Sequence, residues 1–340
     1  MRVLILGGTG VISRCIAEQI AEAGMEPVLF NRGSKKHLFG RDMEWIIGDK
    51  TDRDAFRELM KPQRFDAVID MISFGADDAR LTVETFKDKA GHLIFCSSTA
   101  AYQRPFRGVP IREDEEELCT SQAFPYAFHK AEMERYLQQV ISAGTVPVTI
   151  IRPSLTYGIG GANLGVLRQN RNVVERIRSG KPLVMFGDGT VPWSFSFAPD
   201  VARAFVLAAG NARTFGQAYH ATSEEQHIWE DLYLEIGRLA GVEPKLVHIS
   251  SELLAEAKPD LFAHLYYEKS YAGLFDNSKI RRDLPGFQPR MTLTEGLKMM
   301  LDWYERDSFP IDEAKNRLED GLIQLYERWG TELKAALADA

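Results

Sequence analysis

The chain has little cysteine: Cys15, Cys96 and Cys119 are the only 3 in 340 residues. They lie far apart and form no paired or metal-ligating pattern. That excludes a disulfide scaffold and a thiolate metal site, and it fits a reducing, cytoplasmic setting. No apolar run reaches the length of a membrane span. The first apolar stretch begins at residue 2, which leaves no room ahead of it for a signal peptide. Positive charge is not in excess, the formal net charge being -7. No nucleic acid and no membrane partner are therefore expected. Repeats, low-complexity segments and flexible linkers are also absent. What remains has the composition of a soluble globular chain, long enough for one large domain or two ordinary ones.

What is present starts at residue 2. Arg2-Val3-Leu4-Ile5-Leu6 runs into Gly7-Gly8-Thr9-Gly10, and then Ile12, Ile16 and Ile20 recur at helical spacing. The pattern is strand, tight turn, helix. Such a turn aims backbone N–H groups and the positive end of a helix at one spot, which suits a pyrophosphate. Gly7 and Gly10 let the backbone come close to the phosphates, and Thr9, Val11 and Ile12 complete the candidate site. Apolar strands at 2–6, 27–30, 44–47, 66–70, 92–96 and 147–151 alternate with amphipathic helices at 11–24, 51–60, 76–89 and 124–143. That alternation implies an α/β fold with a parallel sheet covered on both faces. Ligands bind at the carboxyl ends of such strands, so the chemistry is expected just after Leu6, Phe30, Ile47, Asp70, Cys96 and Ile151.

Strand two is followed by Asn31-Arg32-Gly33-Ser34-Lys35-Lys36, where a dinucleotide's ribose 2′ position would lie. No acid stands there to accept from the 2′-OH of NAD, so NADP is the preferred cofactor on this reading and NAD the other possibility. Asp49 is placed to hydrogen-bond adenine, Thr51 reads as the N-cap of the next helix, and Met71 and Ile72 line the groove. Strand five ends in the hydroxyl cluster Ser97-Ser98-Thr99, where a substrate would sit. The stretch 103–125 lacks periodicity, and its acidic run from Glu113 to Glu117 reads as a solvated face. Pro125 opens a helix that sets Tyr126 and Lys130 four apart on one face. An ammonium beside a phenol lowers the phenol's pKa, so tyrosine can exchange a proton with a substrate hydroxyl that Ser98 holds in line. His129 reads as a helix-surface residue. Beyond residue 152 the alternation loosens into helices near 166–178, 199–207, 227–240, 250–257 and 293–305. A tail from Ile311 to Leu337 follows, with Leu318, Leu322, Leu325 and Tyr326 on one stripe.

Taken together, these elements resemble an extended short-chain dehydrogenase/reductase of the NAD(P)-dependent epimerase/dehydratase family. The resemblance covers about residues 1–305 and rests on the glycine turn, the hydroxyl-rich strand end before Tyr102, Tyr126-x-x-x-Lys130 and Arg152-Pro153-Ser154-Leu155-Thr156-Tyr157-Gly158. Phe186-Gly187-Asp188-Gly189-Thr190 and Asp276-Asn277-Ser278-Lys279 also fit. The resemblance implies a Rossmann-type doubly wound sheet over 1–160, completed by later segments, a smaller substrate lobe over 161–305 and a helical extension over 306–340. It implies Tyr126, Lys130 and Ser98 as the catalytic trio, with Lys130 also on the ribose. Ser97 and the Pro153 backbone then lie at the cofactor, and Thr99, Tyr102 and Trp193 at a sugar-like substrate. A homodimer is common in the family. Three departures stand out: Ser13 in place of a third glycine, no acid at Thr99 or Ala100 where dehydratases and decarboxylases place one, and Trp193 where sugar-nucleotide enzymes carry an arginine. The turn Asn31-Arg32-Gly33 is similar to that of a subgroup with chloroplast RNA-binding members. The expected activity is an epimerase or oxidoreductase working through a keto intermediate. The alternatives are a net NADPH-dependent reductase and a nucleotide-bound RNA-binding or scaffold protein with a vestigial site.

Overall fold

The computed structural model describes residues 1–40, 42–160, 164–168, 170–306 and 310–338. It divides into two compact units. The first takes Met1–Thr156, Ser194–Glu224 and Leu274–Met291. Its centre is β1 (Arg2–Leu6), of which Val3, Leu4, Ile5 and Leu6 have no exposed surface. A strand buried on both faces must be covered by helices on both, and alternate residues of β1 serve the two sides. Val3 and Ile5 pack with Ile16 and Ile20 of α1 (Val11–Glu22) and with Phe205 of the helix Ala198–Ala208. Leu4 and Leu6 pack with Phe56 of α2 (Arg53–Met60), Phe86 of α3 (Ala76–Phe86) and Met133 and Leu137 of α4 (Pro125–Ala143).

The other strands are β2 (Glu26–Asn31), β3 (Glu44–Ile47), β4 (Ala67–Asp70), β5 (Leu93–Cys96) and β6 (Val148–Pro153). A seventh, Ala218–Ala221, pairs parallel with β6 at the edge. Across the sheet the order is Ala218–Ala221, β6, β5, β4, β1, β2, β3, with the pairings parallel. The chain runs outward from β1 through β2 and β3, then returns to place β4 on the other side of β1. The point of reversal opens a crevice beyond Leu6 and Asp70, where open α/β sheets bind ligands.

The six strands expected from apolar patterning are present within two residues at each end. The edge strand Ala218–Ala221 was not legible, because Ala-Tyr-His-Ala shows neither a long apolar run nor alternation. Its His220 N–H donates to the Glu113 carboxylate at 2.8 Å. One acid of the expected solvated run is thereby turned inward to satisfy a strand edge. Asp52 rather than Thr51 caps α2, accepting from Ala55 N–H at 3.1 Å, while the Thr51 hydroxyl bonds Asp49.

The second unit takes Tyr157–Trp193, Glu225–Gly273 and Thr292–Ala340. The expected boundary at residue 161 lies outside the described residues. A parallel pair, Leu183–Phe186 with Leu246–Ile249, is surrounded by helices that include Asn170–Arg178, Trp229–Ala240, Pro259–Tyr267 and Glu313–Ala336. Arg176, 1% exposed, reaches Asp320 at 2.6 Å and Glu319 at 3.6 Å on the last helix. That polar contact, with Ile323, turns Glu319 inward and leaves Leu318 and Leu325 of the apolar stripe exposed. Among the described residues no helix is long and apolar enough to cross a membrane.

Candidate active site

The glycine turn is held by close approaches. Gly7 has φ 112, and a Cβ there would lie 3.2 Å from Ile72 Cγ2; Gly8 has φ 85, and a Cβ there would lie 2.9 Å from Leu29 Cδ2. Side chains do not adopt those angles without strain, and the neighbours leave little space for one. Gly10 caps α1, and its N–H donates at 2.9 Å to the hydroxyl of Ser13. Ser13 is 5% exposed, so the residue in the third glycine's place fits and fastens the turn from inside. The first-turn N–H groups of Val11 and Ile12 have no carbonyl one turn back to receive them, which leaves them for an anion.

Beside the turn lies a cavity of about 600 Å³ lined by Gly7, Thr9, Asn31, Arg32, Asp49 and Ile72, all expected from the sequence. Lys50 and Phe74 line it too, and the sequence did not mark them. Lys50 is 8% exposed, and its Nζ donates at 2.7 Å to Asp70 Oδ2 and at 2.7 Å to Ser73 Oγ. Burial opposes ionisation of Asp70, yet the Lys50 ammonium and three side-chain hydrogen bonds hold its carboxyl below the usual range. Met71 is half-buried and packs on the β1 core rather than lining the cavity.

The hydroxyl cluster lies where β5 stops. Ser98 begins a short turn, Thr99–Ala101, and its oxygen accepts from Ala100 N–H at 3.1 Å, leaving the hydroxyl proton to donate outward. Lys130 is 2% exposed, and its Nζ donates at 2.7 Å to the Cys96 carbonyl, two residues before Ser98, and at 2.7 Å to the Ser73 carbonyl. Burial pushes this lysine below its ordinary pKa. The Phe74 ring lies 5.0 Å from the ammonium. Tyr126, one turn earlier on α4, is 39% exposed. The i, i+4 spacing predicts one shared face, yet Lys130 is buried on backbone carbonyls while Tyr126 stays exposed.

Other expected site residues are committed elsewhere. The Ser97 hydroxyl bonds Glu134 of α4, and Glu134 receives Arg152 Nε at 2.9 Å. Arg152 Nη1 donates at 2.6 Å to the Tyr102 hydroxyl, which meets His220 Nε2 at 2.6 Å. Tyr102 is 1% exposed, so its hydroxyl is spent inside the first unit and not on a substrate. Pro153 ends β6, paired with Ala221. Trp193 is 1% exposed within the second unit, its ring 5.1 Å from Trp229 and pressed on Gly273. Thr99 is 1% exposed, and among the described residues its hydroxyl has no hydrogen-bond partner. Glu134, Arg152 and His220 were missed. The available signal was a charge inside the apolar strand Val-Thr-Ile-Ile-Arg-Pro, since a buried arginine requires a partner.

Burial holds His220 down to about 3 and His92 down to about 4. Both are neutral in the fold, whereas an unfolded histidine takes its proton at about 6.5. Below that value the unfolded chain binds more protons, so their stabilising contribution is complete above about pH 6.5 and is lost as pH falls toward the folded values. Urea titrations are expected to show stability declining from about pH 6.5 downward. A flat profile to about pH 5 would contradict neutral burial.

The model of the NAD dependent epimerase/dehydratase family matches residues 3–221. The chain is similar to 2′-dehydrokanamycin reductase of Streptomyces kanamyceticus, 25% identical over 85% of this chain and 81% of that protein. It is similar to chloroplast stem-loop binding protein of 41 kDa b of Arabidopsis thaliana, 24% identical over 87% of this chain and 77% of that one. The solved UDP-glucuronic acid 4-epimerase of Bacillus cereus, in complex with NAD, superposes with TM-score 0.71 at 18% identity, over 90% of this chain and 99% of that one. These findings overturn the expected preference for NADP: the matching family is NAD dependent, and the solved neighbour holds NAD. The Asn31 amide is folded into its own turn, donating to Gly7 O at 2.6 Å and accepting from Gly33 N–H at 2.8 Å. Asp49, held ionised chiefly by the Thr51 N–H and hydroxyl and then by Arg32, brings into the same cavity the carboxylate that strand two lacks.

Proposed function

Since its model spans well over half of the sequence, the chain belongs to the NAD dependent epimerase/dehydratase family, and on that premise we propose that it transfers a hydride at a hydroxyl-bearing carbon of a sugar or sugar derivative, passing through a ketone. The observation that carries this reading is Lys130. It is anchored to the Cys96 carbonyl at the end of the strand that leads to Ser98, one helical turn from Tyr126. The cavity beside the glycine turn fits NAD. Gly7, Thr9, Gly10, Val11 and Ile12 would take its phosphates, Asp49 its adenine, Ile72 the groove wall, and the Pro153 backbone its carboxamide. When bound, NAD supplies the carbon that accepts the hydride and, in an epimerase, returns it to the other face of the ketone. The chain's residues handle the proton. Tyr126 takes it from the substrate hydroxyl, Ser98 holds that oxygen in line, and Lys130 favours the ionised phenol while binding the ribose.

A net reduction is the second reading, favoured by the similarity to 2′-dehydrokanamycin reductase. Screening sugars and amino sugars with NAD, and their keto forms with NADH, with products followed by NMR, separates the two. Epimer formation without net change in NAD supports the first, and stoichiometric NADH consumption supports the second. No 4-keto-6-deoxy product is expected from any nucleotide sugar, because Thr99 and Ala100 offer no acid to expel water. Neither epimer nor reduced product from any sugar tested would refute the proposal.

A further inference from the structure

Lys50 and Lys130 are far apart in sequence, yet one chain of hydrogen bonds joins them. Asp70, 1% exposed at the end of β4, collects five donors. Its Oδ1 accepts from Ile72 N–H and Ser73 N–H, each at 2.9 Å. Its Oδ2 accepts from Lys50 Nζ at 2.7 Å, Ser73 Oγ at 2.7 Å and Thr82 Oγ1 at 2.5 Å. The hub uses every polar group of Ser73. Its N–H and hydroxyl go to Asp70, its hydroxyl oxygen receives Lys50 Nζ at 2.7 Å, and its carbonyl receives Lys130 Nζ at 2.7 Å. Phe74, the next residue, carries the ring that lies over the same ammonium. The segment from Asp70 to Phe74 is therefore a rigid bracket. One end is gripped by a lysine lining the NAD cavity, and the other grips Lys130.

We propose that Lys50, acting through Asp70 and Ser73, is a positioning residue for Lys130 and so ties the NAD cavity to the catalytic lysine. A buried ion pair is a weak source of stability, because the desolvation of two charges offsets their attraction. Its effect here is geometric: with both ends of Ser73 tied, the carbonyl has one direction left, and Lys130 follows it. The proposal rests on the role given above to Lys130 at the ribose.

The test is a double-mutant cycle on NAD affinity, measured by calorimetry and needing no substrate. Ser73→Ala removes the tied hydroxyl and keeps the carbonyl, the Lys50–Asp70 pair and the net charge. In the native background it is expected to weaken NAD binding about tenfold, the size of one charge-assisted hydrogen bond. In a Lys130→Met background it is expected to change affinity less than about twofold, since nothing remains to be positioned. Equal losses in both backgrounds, or no loss in the native one, would overturn the proposal while leaving the role of Lys130 intact. No loss on Lys130→Met alone would remove Lys130 from the ribose and the positioning role with it. If Ser73→Ala fails to fold, Lys50→Met combined with Asp70→Asn removes both charges together and is subject to the same two comparisons.

Discussion

Tyr126→Phe is expected to lose at least about a hundredfold in turnover with the fold intact. A positioned proton donor or acceptor contributes ~10²–10⁴-fold, and the phenol is an exposed titratable group at the start of α4, one helical turn before Lys130. The substitution deletes one oxygen from a side chain that is 39% exposed, so little packing is lost. Ser98→Ala is expected to lose less, because it removes a hydrogen bond that orients the substrate oxygen and leaves the proton acceptor in place. Turnover of the two variants on the substrate found by screening, with melting curves to confirm folding, decides the matter. Full activity in Tyr126→Phe would show that this tyrosine does not handle the proton.

The largest stability effect is expected at Glu134. It has no exposed surface and faces Arg152, 3% exposed, through contacts that include Nε to Oε1 at 2.9 Å. Glu134→Leu leaves that guanidinium buried without its carboxylate, which costs about 3–5 kcal/mol when one partner of such a pair is removed. The Ser97 hydroxyl loses its acceptor in the same step, and Tyr102 is left against an uncompensated charge. A large fall in the urea midpoint of the first unit is the expected result. The double variant Glu134→Leu, Arg152→Met should recover most of it, because replacing both charges by apolar groups is close to neutral. A single-variant loss below about 1 kcal/mol would place this pair among the weak surface bridges.

The glycine turn and the six parallel strands were legible in the sequence because each rests on local spacing. Apolar runs of strand length, glycines at a strand end, and tyrosine and lysine four apart on a helix involve neighbours in the chain, and local geometry places them. The cofactor preference was read wrongly for a related reason. The turn after strand two was judged by its own residues, whereas the carboxylate that faces it, Asp49, arrives from the end of the next strand.

The sequence by itself determined a doubly wound α/β chain with a nucleotide-binding turn at its start and a tyrosine–lysine helix after its fifth strand. Tertiary structure alone decided how the buried charges are paired. Lys50 meets Asp70 across 20 residues, Glu134 meets Arg152 across 18, and Tyr102 meets His220 across 118. It also decided that Tyr102 and Ser97 spend their hydroxyls inside the fold. The physical reason is that a buried polar group must find a partner wherever the packed sheet brings one, and no period in the sequence records which strand end will supply it.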